Sequence, residues 1–390
     1  MFRFYSLREF LLYLLVKFLS CGKNSHKTGP RKKILLVRLD GIGDCILWLD
    51  SASKFRDIYP EKEFEITLLG NDLWEPLTED MPFFDQVWPL SRKRLDKFFY
   101  KLSTFWKIKK AGFDIAIQPT YSREFLTDAF IKMSCAPVRI GSQGDPANIK
   151  FWQKKLTDKW YTVLVPASAK PLMELERNAE FMRGLGLKNV RAGLYQFRPH
   201  LKPAATQNEN FYILFPGASW TGKMWPASRF LEIARRLHDA KKWEGIICGG
   251  STETELAEKI MKASDVPMKN LAGKTSLHDL INLINRAQMI ITNDTAAVHI
   301  AAACETPAVC ILGGGHFGRY MPYKLEQSTY KIIPVGIFPR MDCFNCNWHC
   351  IYKIPDGEPK PCISSISVDE VWIKIEELLN KHTLWSAQDK

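Results

Sequence analysis

The stretch "NDTAAVHIAAACETPAVCILGGG", Asn293 to Gly315, sets an acid (Asp294), a hydroxyl (Thr295) and an imidazole (His299) among small apolar residues. An acid or hydroxyl at the start of a helix caps its first backbone N–H groups. Those N–H groups, with the helix dipole, attract an anion. Ala296 is small enough for a ligand to approach the backbone, and His299, one turn on, can face the same anion. A plain helix cap with a packed histidine is the alternative, and this segment alone does not choose between them. A second segment, "GASWTGKMW", offers the hydroxyls of Ser219 and Thr221, a glycine (Gly222) that admits close approach, and one cation, Lys223. That set suits a phosphate group; a solvated loop lysine is the bland reading. Asp44, in "RLDGIGDC", follows a short apolar run and a glycine turn. It either acts in proton transfer or caps the next helix, and Asp40 competes for the same work.

Two further sets could do chemistry. Cys343, Cys346, Cys350 and Cys362 follow the pattern C-x2-C-x3-C and then a later Cys, a spacing that can hold a structural zinc or an iron–sulfur cluster. It lacks the usual second C-x2-C pair, so free thiols or a disulfide compete. The other six cysteines are scattered in mostly apolar context, which suits a reducing compartment. The stretch "SRKRLDKFFYKLSTFWKIKK" carries Arg92, Lys93 and Arg94 at its head. Leu95, Phe98, Phe99, Leu102, Phe105 and Trp106 recur at helical spacing, which predicts one face buried in a domain core. The basic residues around it predict contact with an acceptor's phosphates or an anionic membrane surface.

The elements that must position these residues alternate. "KKILLVRLDGIGDCILWLDSASKFRDIYP" reads strand, glycine turn, helix. "FEITLLG" (64–70) and "FDIAIQP" (113–119) read as strands, with a helix at about 91–110 between them. The pattern restarts with strand "FYILFPGAS", helix "PASRFLEIARRLHDA" and strand "EGIICGG". Helix "SLHDLINLINRAQ", strand "MIITND", helix "TAAVHIAAAC" and strand "PAVCILGGG" follow. Two α/β halves with parallel sheets are predicted, joined by the polar, aperiodic linker at 198–210. The expected organisation is a basic N-terminal segment 1–33, a Rossmann-like domain 34–200, and a second Rossmann-like domain 210–390 that includes the cysteine cluster 343–362. Asp44, the Ser219–Lys223 loop and Asp294–His299 then all fall at strand carboxyl ends, where ligands of such folds gather.

Composition bounds the reading. Across 390 residues, 46% are hydrophobic and 25% charged, a globular balance with room for two cores. The net charge of +12 is local: residues 1–33 hold eight Lys/Arg and one Glu, residues 91–110 eight Lys/Arg and one Asp, leaving about −2 elsewhere. Two patches for anionic surfaces are therefore expected, and no nucleic-acid module is recognisable. The apolar run Phe10–Leu19 is too short to span a bilayer. A basic amphipathic helix on a membrane surface is expected there. A signal or lipid anchor at Ser20-Cys21, and a helix packed on its own domain, are the alternatives.

Three segments in order, "ILLVRLDGIGDCILWLDSASKFRDIYP", "FPGASWTGKMWPASRFLEIARRL" and "ITNDTAAVHIAAACETPAVCILGG", resemble glycosyltransferase family 9, the heptosyltransferases of lipopolysaccharide assembly. The likeness runs from Lys33 to about Val371; Ala296 stands where many members carry glycine. The resemblance implies a GT-B fold of two Rossmann-like domains facing across a cleft. It implies inverting transfer that needs no metal, an ADP-heptose donor and a lipid-linked or phosphorylated glycan acceptor. By position, Asp44 matches the catalytic base, Lys223 the donor-phosphate lysine, and Asp294, Thr295 and His299 the donor-binding motif; Ser219, Thr221 and Ala296 lie with them. The implied place of work is the cytoplasm, peripheral to the inner membrane. Competing functions are a GT-B sugar-nucleotide epimerase and a non-catalytic membrane scaffold. A dinucleotide oxidoreductase is disfavoured because Gly41-Ile42-Gly43 lacks the third glycine of the fingerprint.

Overall fold

The computed structural model describes residues 12–17, 29–78, 81–197, 210–325, 330 and 332–388. The chain divides into two compact units, Met1–Lys170 with Leu175–Gly193, and Pro171–Glu174 with Leu194–Lys390. Most of the expected linker, residues 198–209, lies outside the described residues.

Each unit is built on a six-stranded parallel sheet. In the first, β1 (Lys32–Arg38), β2 (Phe64–Asn71), β3 (Gln86–Leu90), β4 (Ile115–Gln118), β5 (Val138–Ser142) and β6 (Val163–Val165) take the order β3-β2-β1-β4-β5-β6. In the second, β7 (Phe211–Phe215), β8 (Glu244–Ile247), β9 (Met268–Asn270), β10 (Met289–Asn293), β11 (Ala308–Ile311) and β12 (Val335–Ile337) take the order β12-β11-β10-β7-β8-β9. Both are doubly wound: the chain leaves the first strand in one direction and returns to its other side with the fourth. This puts a topological switch between β1 and β4, and another between β7 and β10, the positions where such sheets bind ligands.

The central strands are apolar because helices cover both faces. Leu35 and Val37 of β1 join Phe105, Ile108, Phe130 and Met133 in one core of the first unit. Tyr212 and Leu214 of β7 join Phe230, Ile233 and Leu237 of the helix Ala227–Lys241, and Val371 and Ile375 of the helix Val368–Gln388, in the core of the second.

Two expectations fail here. The helix Phe98–Ala111 buries Thr104, Phe105 and Ile108. Phe98, Phe99 and Trp106, expected on its core face, are instead 57%, 81% and 58% exposed. The aromatic residues recur at helical spacing, but the stripe through Thr104, Phe105 and Ile108 is the one that meets the core. Leu95 is buried ahead of the helix. The N-terminal segment is also corrected in part. Residues 12–17 are helical, Val16 is buried, and Leu12, Tyr13 and Leu15 pack on the first unit's core, so this stretch covers its own domain. The rest of residues 1–28 lies outside the described residues. No described helix is long and apolar enough to cross a membrane.

Candidate active site

In the second unit, the loop after β7 and the helix start after β10 come together at the switch point. Asn293 ends β10 fully buried. Its amide donates to the carbonyls of Pro216 (2.7 Å) and Gly217 (3.2 Å), and its side-chain oxygen accepts from the Trp225 N–H at 3.0 Å. One amide thus clamps both ends of the Ser219–Lys223 loop to the strand that delivers Asp294. Asn293 carries only a faint mark in the sequence. That mark is an amide closing a fully buried strand, after Thr292 and three apolar residues.

The helix Ala296–Cys304 has Thr295 as its N-cap, with the hydroxyl accepting from the Ala297 N–H at 3.3 Å. Asp294, Thr295 and Ala296 are half-buried at its open end. Burial pushes the Asp294 carboxyl above its ordinary value, and the charge of Lys223 opposes that shift. Burial lowers the half-buried Lys223 ammonium, with Asp294 pulling it back up. The two groups therefore share one partly dry environment. Ser219 and Thr221 are exposed on the same loop. His299 takes the packed place: it is buried, and its Nδ1 is 2.7 Å from the Tyr323 hydroxyl. The Tyr323 hydroxyl is pushed well up, first by burial, then by Cys310 and Asp294.

The cysteine segment docks on this loop. Trp348 lies under Lys223, whose Nζ is 4.5 Å from the ring centre, and meets Trp220 edge-on at 5.8 Å. Lys360 sits over the Trp220 ring, and its N–H donates to Gly222 O at 2.9 Å. The N–H groups of Asn345 and Asn347 donate to Gly314 O and Gly315 O. This accounts for the glycine run: a Cβ at Gly313 or Gly315 would meet the Trp348 ring at about 2.5 Å or less, and one at Gly314 would meet Phe344. Gly222, expected to admit a ligand, instead admits the Trp220 ring. Trp348 and Lys360 were not singled out in the sequence.

Cys343, Cys346, Cys350 and Cys362 line one pocket with Trp348, Tyr352 and Lys360. Burial holds the Cys362 thiol up, a Gly314 backbone hydrogen bond lowers it, and the other three thiols add to the rise. Among the described residues no three His, Cys, Asp or Glu side chains are gathered as a metal-binding set.

In the first unit, Asp44 sits in the first turn of the helix Ile42–Ser53, whose N-cap is Gly41, so Asp44 is not the capping residue. The loop before it is held from four sides. Asn71 donates to Leu39 O and Asp40 O, Trp74 Nε1 to Asp40 O, and Arg92 Nη1 to Leu39 O. The fully buried Arg38 pairs with the Asp40 carboxylate at 2.8 Å, donates to Asn178 and reaches the Asp44 carbonyl. Asp40 is therefore a neutralised structural acid. Among the described residues no basic side chain pairs with the half-buried Asp44 carboxylate. Arg92, expected on an acceptor or membrane, is bound to Leu39 O and to Glu124 at 2.8 Å, while Arg94 stacks on Tyr100 and Lys93 is exposed.

The model of the glycosyltransferase family 9 (heptosyltransferase) matches residues 102–343. The lipooligosaccharide heptosyltransferase 2 of Haemophilus influenzae is 30% identical over 311 residues, 76% of this chain and 87% of that protein. Among solved structures, a glycosyl transferase family 9 protein from Veillonella parvula superposes with a TM-score of 0.69 at 20% identity, covering 92% of this chain and all of that one. The Escherichia coli heptosyltransferase WaaC, solved with ADP-2-deoxy-2-fluoro heptose, superposes at 0.65 and 16% identity, covering 88% and 99%. With its two parallel-sheet Rossmann-like units, the chain has the GT-B fold of these neighbours.

Proposed function

Because the chain belongs to glycosyltransferase family 9, the heptosyltransferases, we propose that this glycosyltransferase moves a heptose from an ADP-sugar to an inner-core sugar of lipopolysaccharide or a related surface glycan. The reaction is a single displacement with inversion. Asp44 takes the proton of the acceptor hydroxyl as its oxygen attacks the anomeric carbon, and the bond from that carbon to the diphosphate breaks from the opposite side. The leaving ADP gathers negative charge. Lys223 and the N–H groups at the start of the helix Ala296–Cys304 neutralise it, so the chemical step needs no metal. Ser219, Thr221 and the Asp294–Ala296 turn line the donor, and His299 supports it through Tyr323. The observation that carries this reading is the clamp of Asn293, which brings the lysine loop and the helix start to one switch point. The ADP donor is further supported by the ligand of WaaC. A lipid-linked acceptor places the work at the cytoplasmic face of the inner membrane.

The test is turnover of ADP-heptose with a core-oligosaccharide acceptor, in chelator. Asp44→Asn is expected to lose about 10²–10⁴-fold in rate with ADP affinity unchanged. Lys223→Ala is expected to lose ADP affinity. Wild-type turnover by Asp44→Asn removes that base, and thermal stabilisation by another nucleotide sugar but not ADP-heptose overturns the donor.

For the four cysteines, one pocket brings the thiols near each other but no three of them are gathered as a metal-binding set among the described residues, so a structural zinc or iron–sulfur cluster would need them to rearrange. Metal analysis of protein purified without chelators decides: a near-stoichiometric metal supports the site, and a metal-free, folded protein overturns it.

A further inference from the structure

Among the described residues of the first unit, five large aromatic side chains stand in solvent. Besides Phe98, Phe99 and Trp106, Phe151 and Trp152 are 78% and 46% exposed. Single exposed aromatics are ordinary; several on neighbouring elements are not. Phe99 and Trp106, seven residues apart, share a face of the helix Phe98–Ala111, and the Phe98 and Phe99 rings touch at 5.6 Å. Phe151 and Trp152 open the helix Phe151–Thr157. The helix Phe125–Met133 packs between these two. At its head, Glu124 pairs with Arg92, and Phe125 lies 6.5 Å from Trp152. The heads of the three helices thus form one connected rim. Each follows a parallel strand, so the rim lies at the carboxyl edge of the first sheet, the same edge as the loop that carries Asp44.

We propose that this rim is the surface by which the protein docks on an anionic phospholipid bilayer, its aromatic rings seated at the headgroup level. The inference rests on the lipid-linked acceptor above and names the face that meets the lipid. The chemistry fits on both counts. Phe and Trp on a face that is also rich in lysine is the composition of an interfacial surface. Residues 91–110 carry a net charge of +7, and Lys93, Lys97 and Lys150 are exposed along the rim. A second copy of the chain is a poor occupant, because a two-fold contact would set +7 against +7. Docking by this edge brings a membrane-anchored acceptor to the side of the sheet where Asp44 stands.

The experiment is flotation of the full chain with phosphatidylglycerol-rich and phosphatidylcholine vesicles, alongside ADP binding as a check of folding. Wild type is expected to float with the anionic vesicles and to release them at about 0.5 M salt. Phe99→Ser with Trp106→Ser, and separately Lys93→Glu with Lys97→Glu, are expected to weaken that partition about tenfold or more, with ADP affinity unchanged. Flotation of the aromatic pair variant at the wild-type level overturns the proposal, as does a wild type that ignores anionic vesicles. Light scattering that shows the aromatic variant losing self-association while keeping the vesicles overturns it too. Wild-type turnover by Asp44→Asn with intact flotation marks failure of the enzymatic reading alone, whereas lost turnover in Asp44→Asn beside a wild type that ignores anionic vesicles marks failure of this one alone.

Discussion

At the scale of single residues, Lys223 and Asp294 make the sharpest claims. Burial moves each toward its neutral form, and each resists the other's shift. Perturbed pairs of this kind, a cation and an acid each shifted by burial and opposed by the other, cluster at functional sites. The sign for Lys223 follows. An ammonium holds a diphosphate only while protonated, so ADP affinity is full below the lowered pKa and falls as pH rises through it, earlier than an ordinary lysine would allow. Lys223→Arg keeps its charge throughout, so its affinity should stay flat from roughly pH 7 to 10.5. Calorimetric titration across that range checks this; an arginine variant with the wild-type limb would assign the titration to another group. Asp294 works in the opposite sense. With its folded pKa raised, the stability it contributes is complete below the ordinary carboxylate range and is lost as pH rises through the raised value. At neutral pH the native state is penalised at this group relative to the unfolded chain, where the carboxyl ionises in water. Asp294→Asn should therefore leave Tm at pH 7 equal or higher while transfer falls, and a lower Tm would mean that the carboxylate serves the fold.

At the scale of elements, the cysteine segment braces the Ser219–Lys223 loop. It does so through Trp348, which reaches over Gly313 and Gly315 to lie under Lys223. Gly315→Ala sets a methyl group against that ring, an overpacking that typically costs about 1–3 kcal/mol. The expected result is a lower Tm together with weaker ADP binding and a change in tryptophan fluorescence. A variant that loses stability but binds ADP as before would leave Trp348 a packing residue only. The brace also shows why the site was partly legible. The central strands β1, β7 and β10 are continuous apolar runs, and the acid, hydroxyl and lysine at their ends were visible as interruptions of pattern. Edge strands such as β9 and β12, three residues each, carry too little pattern to read. Trp348 and Lys223 lie 125 positions apart in the chain, and the Asn293 clamp spans about seventy; such contacts leave no local trace. The aromatic stripe of the helix Phe98–Ala111 failed differently: its period was read correctly, but a period does not say which face meets the sheet.

At the scale of the whole molecule, each unit has its own sheet and its own core. The residues proposed to hold the donor, Ser219 to Lys223 and Asp294 to His299, all belong to the second unit, whereas Asp44 belongs to the first. A ligand stabilises what it binds by mass action, about 2.7 kcal/mol at a hundred times Kd. For a unit of this size that is a rise of roughly 5–10 °C in its melting temperature. If ADP is held by the second unit's residues, a calorimetric trace should resolve into two components, with ADP raising one of them and leaving the other in place. Lys223→Ala should abolish the shift. Asp44→Asn, whose substitution lies in the other unit, should keep it in full, so the same trace separates donor binding from base chemistry without any turnover assay. A single transition that ADP moves as a whole would show the units melting together and would make separate cores an insufficient account of stability. An ADP shift lost in Asp44→Asn would mean that the acid of the first unit takes part in holding the donor as well as in activating the acceptor.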